Sequence, residues 1–230
     1  MTPNDAPRPM TPVPAHPAGA EPISGPHAGP PLRRPQFVSW FIIIAAGAAY
    51  LAESLFRMSG VTEAGALYGP WVQAQPWRIL SYTLVHGGPL HLLFNLLGVW
   101  NLGIPLERAI GSGRFLLLSL AACLGASAAI LFVDFDQATV GVSGVILGWL
   151  GAALLLVRRE GRQSLVMGLV QIAVISVLPG VSWAGHLGGL LVGLPLGWAL
   201  RKGPSIYAVA APVAIFLGAV LCTLAATRAG

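Results

Sequence analysis

The sequence predicts an all-α membrane protein with seven transmembrane helices and a cytoplasmic N-terminus. Three observations support this prediction: the composition, the number of long apolar segments, and the distribution of the basic residues. Of the 230 residues, 55% are hydrophobic and only 9% are charged, whereas a soluble domain typically has about 25% charged residues. Most of the chain is therefore expected to lie in lipid.

Seven apolar segments follow the N-terminal region, each close to the length that spans a hydrocarbon core of about 30 Å. Helix is the expected state of each segment, because lipid offers no partner to the backbone groups of an open strand. The predicted helices cover about 37–56, 89–106, 114–133, 142–157, 164–178, 182–200 and 205–226.

The basic residues set the predicted orientation. If the N-terminus is cytoplasmic, the cytoplasmic side holds Arg8, Arg33, Arg34, Arg108, Arg114, Arg158, Arg159, Arg162, Arg201 and Lys202. Only Arg57, Arg78 and Arg228 then lie outside. Because cytoplasmic loops carry the excess of Lys and Arg, the N-terminus is predicted inside and the C-terminus outside.

Composition also divides the chain into regions. Residues 1–35 are proline-rich and poor in large apolar side chains, so they are predicted to form a disordered cytoplasmic tail. A membrane core is expected over 36–204, followed by one further transmembrane helix in 205–230. The first external loop, 57–88, contains Trp71 and Trp77 and is apolar enough to lie partly in the outer leaflet.

The charge pattern argues against nucleic-acid binding, because the basic residues are scattered between apolar runs and form no stripe. Cys123 and Cys222 lie within apolar runs and are expected to be small buried hydrophobes. The preference for Arg over Lys, with abundant Ala and Gly, suggests a bacterial source and hence the bacterial inner membrane. Nothing in the sequence indicates the oligomeric state.

Polar residues recur at one predicted depth. The second, fourth and sixth helices all run from outside to inside, and each carries polar groups in its first turns. His91 and Asn95 lie four residues apart on the second helix and share a face. Ser143 begins the fourth helix, and His186 lies near the start of the sixth. All four are therefore expected a few residues below the outer surface.

Small residues at four-residue spacing predict that the fourth and sixth helices pack closely. The spacing is found at Gly144, Gly148 and Ala152, and again at Gly185, Gly189, Gly193 and Gly197. If these ridges face each other, Ser143 and His186 come within hydrogen-bonding distance. The free N–H groups at the start of the short fourth helix, together with His91 and Asn95, could stabilise an oxyanion.

Neither the fourth nor the sixth helix contains an acidic residue, so a serine–histidine pair is favoured over a triad. Two other classes stay open on these grounds. A transporter would need polar groups near the midplane or broken helices, but here they cluster toward one surface. A non-catalytic membrane scaffold would need no serine and histidine together, and the glycines around Ser143 would then serve packing alone.

The same residues resemble the rhomboid family of intramembrane serine proteases over about 77–197, roughly half the chain. The motifs that carry the resemblance are Trp77-Arg78, His86-x4-His91-x3-Asn95, Glu107-Arg108, Gly111-x-Gly113-Arg114, Gly141-x-Ser143-Gly144 and His186-x2-Gly189-x3-Gly193. Their order, spacing and predicted topology agree with that family.

The resemblance implies a six-helix protease core followed by an extra C-terminal helix. It implies that Ser143 is the nucleophile, that His186 is the general base, and that His91 and Asn95 line the oxyanion hole. No metal or cofactor would be needed, and the substrates would be transmembrane proteins in the bilayer. A helix over about 164–178 would border the substrate access side.

The resemblance also implies roles for further residues. Trp77, Arg78 and Glu107 would be structural residues that shape the first loop. Leu147 departs from the pattern, because an aromatic residue usually stacks on the histidine from that position.

Overall fold

A computed structural model describes residues 34–55, 60–178 and 180–227. Most of the predicted tail, residues 1–33, lies outside the described residues. The described α-helices are α1 (Phe37–Ser54), α2 (Val61–Gly65), α3 (Gly69–Val72), α4 (Arg78–Ser81), α5 (Pro89–Gly98), α6 (Ile104–Ile110), α7 (Ser112–Val133), α8 (Ser143–Leu156), α9 (Arg159–Ile175), α10 (Trp183–Lys202) and α11 (Pro204–Thr227).

The predicted all-α membrane architecture is confirmed. Within the described ranges, five helical stretches are long and apolar enough to cross a membrane: Phe37–Ser54, Pro89–Ile110, Ser112–Val133, Trp183–Lys202 and Pro204–Thr227. Two further apolar helices, α8 and α9, are shorter. The 14 residues of α8 extend only about 21 Å, less than a hydrocarbon core. The chain is therefore a multi-pass membrane protein, and the count of seven spans stays a prediction.

The second predicted helix is longer than expected and contains an irregular turn. A π-helical segment, Val99–Gly103, joins α5 to α6, so the helical path continues to Ile110. Pro105 is the second residue of α6 and lacks the N–H that an α-helix would bond to the carbonyl of residue 101. The widened turn before it accommodates this missing hydrogen bond. Apolar periodicity carries no signal for such a local change.

The two small-residue ridges face each other, as predicted. A Cβ added to Gly189 would overlap the carbonyl of Gly144, and one added to Gly193 would overlap the carbonyl of Gly148. The backbones of α8 and α10 are thus in direct contact, which only glycine permits at these positions. Ser143 and His186 lie in the first turns of α8 and α10, so the most closely packed pair among the described helices also positions the two candidate residues.

The long helix α7 packs behind this pair and connects it to α11. The Nε1 of Trp149 on α8 donates a hydrogen bond of 2.9 Å to the Ser119 hydroxyl on α7. On the other side of α7, the thiol of Cys222 lies 3.5 Å from the carbonyl oxygen of Leu124. Cys222 and Cys123 are both buried and free, as predicted. The additional C-terminal helix is therefore packed against the core of the structure.

Glu107 is a structural residue, but the predicted role in the first loop is wrong. Its fully buried carboxylate accepts hydrogen bonds from the backbone N–H groups of Val38 and Ser39, at 3.0 and 2.8 Å, and from the Ser39 hydroxyl at 2.6 Å. These donors lie in the first turn of α1, where backbone N–H groups have no partner within the helix. Because α6 ends beside the start of α1, Glu107 caps that helix, and its side-chain hydrogen bonds to described residues are all made there.

The first loop is folded onto the helices rather than free. It contains α2, α3 and α4, and it makes an isolated β-bridge between Leu67 and Thr139 of the loop before α8. The guanidinium of Arg78 is buried and donates to the carbonyl oxygens of Glu63 and Ala66, both at 2.6 Å. The predicted structural role of Arg78 agrees with these contacts. The loop thereby supports the segment that leads into Ser143.

Candidate active site

Ser143 is the first residue of α8, and the turn before it determines where its side chain starts. Gly141 has φ = +106°, a conformation that residues with a side chain rarely adopt. Its N–H donates a 2.8 Å hydrogen bond to the carbonyl oxygen of Tyr82 in the first loop. A Cβ on Gly141 would lie 2.6 Å from the Nε2 of His91. Glycine is therefore needed here both for the turn and for the close approach of His91.

His186 lies in the first turn of α10. Ser182 caps this helix, because its hydroxyl oxygen accepts a 3.1 Å hydrogen bond from the N–H of Gly185. The Ser182 hydroxyl in turn donates to Asp134 at 2.9 Å, which ties the start of α10 to the end of α7. The Nε2 of His186 lies 2.8 Å from the Ser143 hydroxyl oxygen. The structure thus brings these two candidate residues into hydrogen-bonding contact.

The opposite side of the His186 ring contacts a residue that the sequence reasoning missed. The Nδ1 of His186 lies 2.6 Å from the hydroxyl oxygen of Ser176, just after the end of α9. The Ser176 hydroxyl donates to the carbonyl oxygen of Ile172 at 2.7 Å. The sequence signal for this contact was a single serine near the end of an apolar helix. The signal is weak, because the hydroxyl of such a serine most often bonds only to the backbone of its own helix.

A cavity of about 520 Å³ opens in front of the Ser143–His186 pair. Both residues line it, and so do His91 and Asn95, so the structure brings all four predicted site residues to one cavity. Leu147 also lines it and is buried, with no aromatic ring at that position.

Asn95 lies at the side of the cavity formed by α5. Its Nδ2 donates a 2.8 Å hydrogen bond to the carbonyl of His91, one turn earlier in α5. Its buried Oδ1 has no hydrogen-bond partner among the described residues. A buried amide oxygen without a partner is costly, so it is normally paired with water or a ligand. The cavity that contains Ser143 therefore also contains a hydrogen-bond acceptor without a partner in the described part of the protein.

The start of α8 adds backbone donors. The first N–H that bonds within this helix is that of Ile146, which donates to the carbonyl of Val142. No side chain caps the residues before it. These N–H groups carry the positive end of the helix dipole, so they favour negative charge near Ser143.

The fold and the site together define a multi-pass membrane protein that holds a serine–histidine pair in a cavity among its helices. Residues 73–203 match the family model described as "Rhomboid domain".

Among curated proteins, the chain is 32% identical over 184 residues to "Rhomboid protease GluP" of Bacillus subtilis (strain 168), covering 73% of this chain and 35% of that protein. It is 32% identical over 142 residues to "Rhomboid protease GlpG" of Enterobacter sp. (strain 638), covering 57% and 51%. It is also 31% identical over 191 residues to "Rhomboid-related protein 2" of Mus musculus, covering 70% and 63%.

The chain belongs to the rhomboid family. It spans between about a third and two thirds of the length of these curated relatives. The matched residues include the whole of the candidate site.

Proposed function

We propose that this protein is an intramembrane serine endopeptidase that cleaves the transmembrane segments of membrane proteins with a Ser143–His186 dyad. The observation that carries the proposal is the 2.8 Å contact between the Ser143 hydroxyl and His186 Nε2, in a cavity among membrane helices. Membership of a family whose curated members include rhomboid proteases supports the same reaction. The reaction uses no metal or cofactor.

Each step of the proposed reaction uses a group in the cavity. His186 Nε2 accepts the proton of Ser143 as the hydroxyl oxygen attacks the peptide carbonyl. The protonated His186 then donates that proton to the leaving amine, and an acyl-enzyme remains on Ser143. Water enters the vacated space, gives a proton to His186, and attacks the ester. The bond to the Ser143 oxygen then breaks, His186 returns the proton to that oxygen, and the new carboxyl end is released.

The negative charge of the two tetrahedral intermediates needs hydrogen-bond donors. We assign this role to the first backbone N–H groups of α8, to His91 and to Asn95. All of them border the same cavity, and one such donor is typically worth about 10²–10³ in rate. In the free protein the Asn95 amide is bonded to the His91 carbonyl, so it would turn toward the substrate oxygen.

The proposed arrangement in the membrane follows from the positive-inside distribution. We assign seven transmembrane helices, a cytoplasmic N-terminus and a site a few residues below the outer surface. The protease core would be 36–204, with the last helix added to it, and the membrane would be a bacterial inner membrane. A site at this depth suits substrates cut near the outer end of a transmembrane segment.

The deciding experiment compares Ser143→Ala with the unmodified protein in liposomes that contain a single-pass reporter protein. We expect Ser143→Ala to lower cleavage at least about a thousandfold, because the nucleophile is removed. A fluorophosphonate should label the unmodified protein at Ser143 and should not label the variant. Ser164→Ala is the matched control, since Ser164 is exposed on α9, and it should cleave normally. Unchanged cleavage by folded Ser143→Ala would contradict the proposal.

A further inference from the structure

We infer that Ser176 is a positioning residue, whose hydroxyl holds the His186 ring in the tautomer and orientation that the reaction requires. The inference rests on the proposed function of the Ser143–His186 pair and extends it to a third side chain. Ser176 would not touch the substrate. It would act only through His186.

Ser176 is itself held firmly in place. Both its backbone N–H and its hydroxyl bond to the carbonyl oxygen of Ile172, at 2.8 and 2.7 Å. The side chain is only 9% exposed, so water competes little for these bonds. The hydroxyl oxygen is thus presented to His186 Nδ1, 2.6 Å away, from one direction.

The direction of these bonds decides the tautomer of His186. A serine hydroxyl has a single proton, and the Ile172 carbonyl oxygen, 2.7 Å away, can only accept it. The short contact to His186 therefore requires Nδ1 to carry a proton that it donates to the Ser176 oxygen. Nε2 is then unprotonated and faces the Ser143 hydroxyl. This is the tautomer that a general base needs, since Nε2 must accept the proton from Ser143.

No other described group makes a hydrogen bond to Nδ1. Asp134, at the end of α7, accepts a hydrogen bond from Ser182 instead. Leu147 lines the cavity, but its side chain has no polar atom. Ser176 therefore occupies the place of the third residue of a hydrolytic triad, as a neutral acceptor. A neutral acceptor orients the ring but adds little charge stabilisation to the protonated histidine, so its contribution should be smaller than that of an aspartate.

The position of Ser176 also makes the pair depend on α9. Among the described helices, α9 packs mainly against α8 and much less closely than α10 does, and its side chains Val170 and Val174 are exposed. His186 is on α10, which is packed along its length against α8 and α7. The hydrogen bond between Ser176 and His186 thus links the end of α9, which packs against little of the fold, to α10, which packs against several helices. Displacement of the end of α9 would release Nδ1 and leave His186 free to turn.

The test measures reporter cleavage and fluorophosphonate labelling for Ser176→Ala, Ser176→Thr and Ser176→Cys, with Ser164→Ala on α9 as the control. Ser176→Ala should lower kcat and the labelling rate roughly tenfold, as expected for one lost hydrogen bond. KM and the thermal midpoint should change little. Ser176→Thr, which keeps the hydroxyl, should recover most of the rate.

The outcomes separate this inference from the proposed function. If the unmodified protein cleaves the reporter and Ser176→Ala cleaves equally well, the role of Ser176 is refuted while the dyad stands. If Ser176→Ala loses rate only in proportion to a lowered thermal midpoint, with neither Thr nor Cys restoring it, the residue is merely structural. If the unmodified protein neither cleaves nor is labelled, the proposed function itself fails.

Discussion

Two histidines near the candidate nucleophile have opposite surroundings. His186 is bonded at both ring nitrogens, to Ser143 and to Ser176. His86 lies in the loop before α5 and is buried, and neither of its ring nitrogens has a partner among the described residues. Its ring meets the His91 ring edge-on, with centroids 5.2 Å apart. One imidazole is thus arranged for proton transfer, and the other fills space beside a residue of the proposed oxyanion hole.

The surroundings of His86 lead to a prediction about pH. Burial, with a smaller contribution from the nearby His91, lowers the pKa of His86 to about 4. The unfolded chain has the usual value near 6.5, so below that pH the unfolded state binds more protons than the folded state. The stabilising effect of a neutral His86 is therefore complete above pH 6.5 and decreases as the pH falls toward 4.

Replacing His86 with leucine should remove this part of the pH dependence. We expect the thermal midpoint of His86→Leu in detergent to fall less between pH 7.5 and pH 5 than that of the unmodified protein. Equal decreases in the two proteins would show that other groups account for the acid sensitivity.

At the scale of elements, the contact between α8 and α10 dominates the geometry of the site. Glycines at successive turns let the backbones touch, and this contact continues from Gly144 beside Gly185 to Gly197 beside Ala152. The side chains at the N-terminal ends of the two helices then have little freedom to move apart. The short hydrogen bond between the serine and the histidine is a consequence of this packing.

A single methyl group should disturb this element pair. Gly193→Ala places a Cβ against the carbonyl of Gly148, which the backbones can relieve only by separating. We expect a loss of about 1–3 kcal/mol in the free energy of unfolding, measured by denaturant titration in detergent, together with reduced cleavage. Gly168→Ala is the matched control, because nothing lies within 4 Å of its added Cβ. If Gly193→Ala is as stable as Gly168→Ala, the proposed backbone contact is not maintained in the membrane.

At the scale of the whole molecule, the proposed topology puts the loop before α8 outside and the start of α9 inside. The first of these loops is tied to the first external loop by the Leu67–Thr139 bridge, so both must lie on one side of the membrane. The other end of α8 leads directly to Arg158 and Arg159. The site and the basic cluster are thus at opposite ends of the same helix.

Cysteine labelling tests this orientation. In intact bacterial cells, a membrane-impermeant maleimide should label Gln137→Cys and should label Arg158→Cys only after lysis. Both positions are exposed, while the native Cys123 and Cys222 are buried and should react little. Labelling of Arg158→Cys alone in intact cells would reverse the proposed topology.

Sequence patterns were sufficient for the helices and for most of the candidate site, because both depend on short-range regularities. Apolar runs of membrane length must become helices in lipid. Glycine ridges that recur every four residues must lie on one face of a helix. The predicted alternation of successive spans placed Ser143, His186, His91 and Asn95 at one expected depth, and the four residues line one cavity.

Tertiary structure alone decided how individual side chains pair across helices. Glu107 caps α1 and Ser176 contacts His186 because of how far each helix extends and how it is rotated about its axis. Neither quantity is encoded by apolar periodicity, since a rotation of a few tens of degrees leaves the pattern unchanged but moves a hydroxyl beyond hydrogen-bonding distance. The sequence by itself therefore determined which residues could meet at the N-terminal ends of α8 and α10. The packed fold determined which atoms do meet there, and it added Ser176 to them.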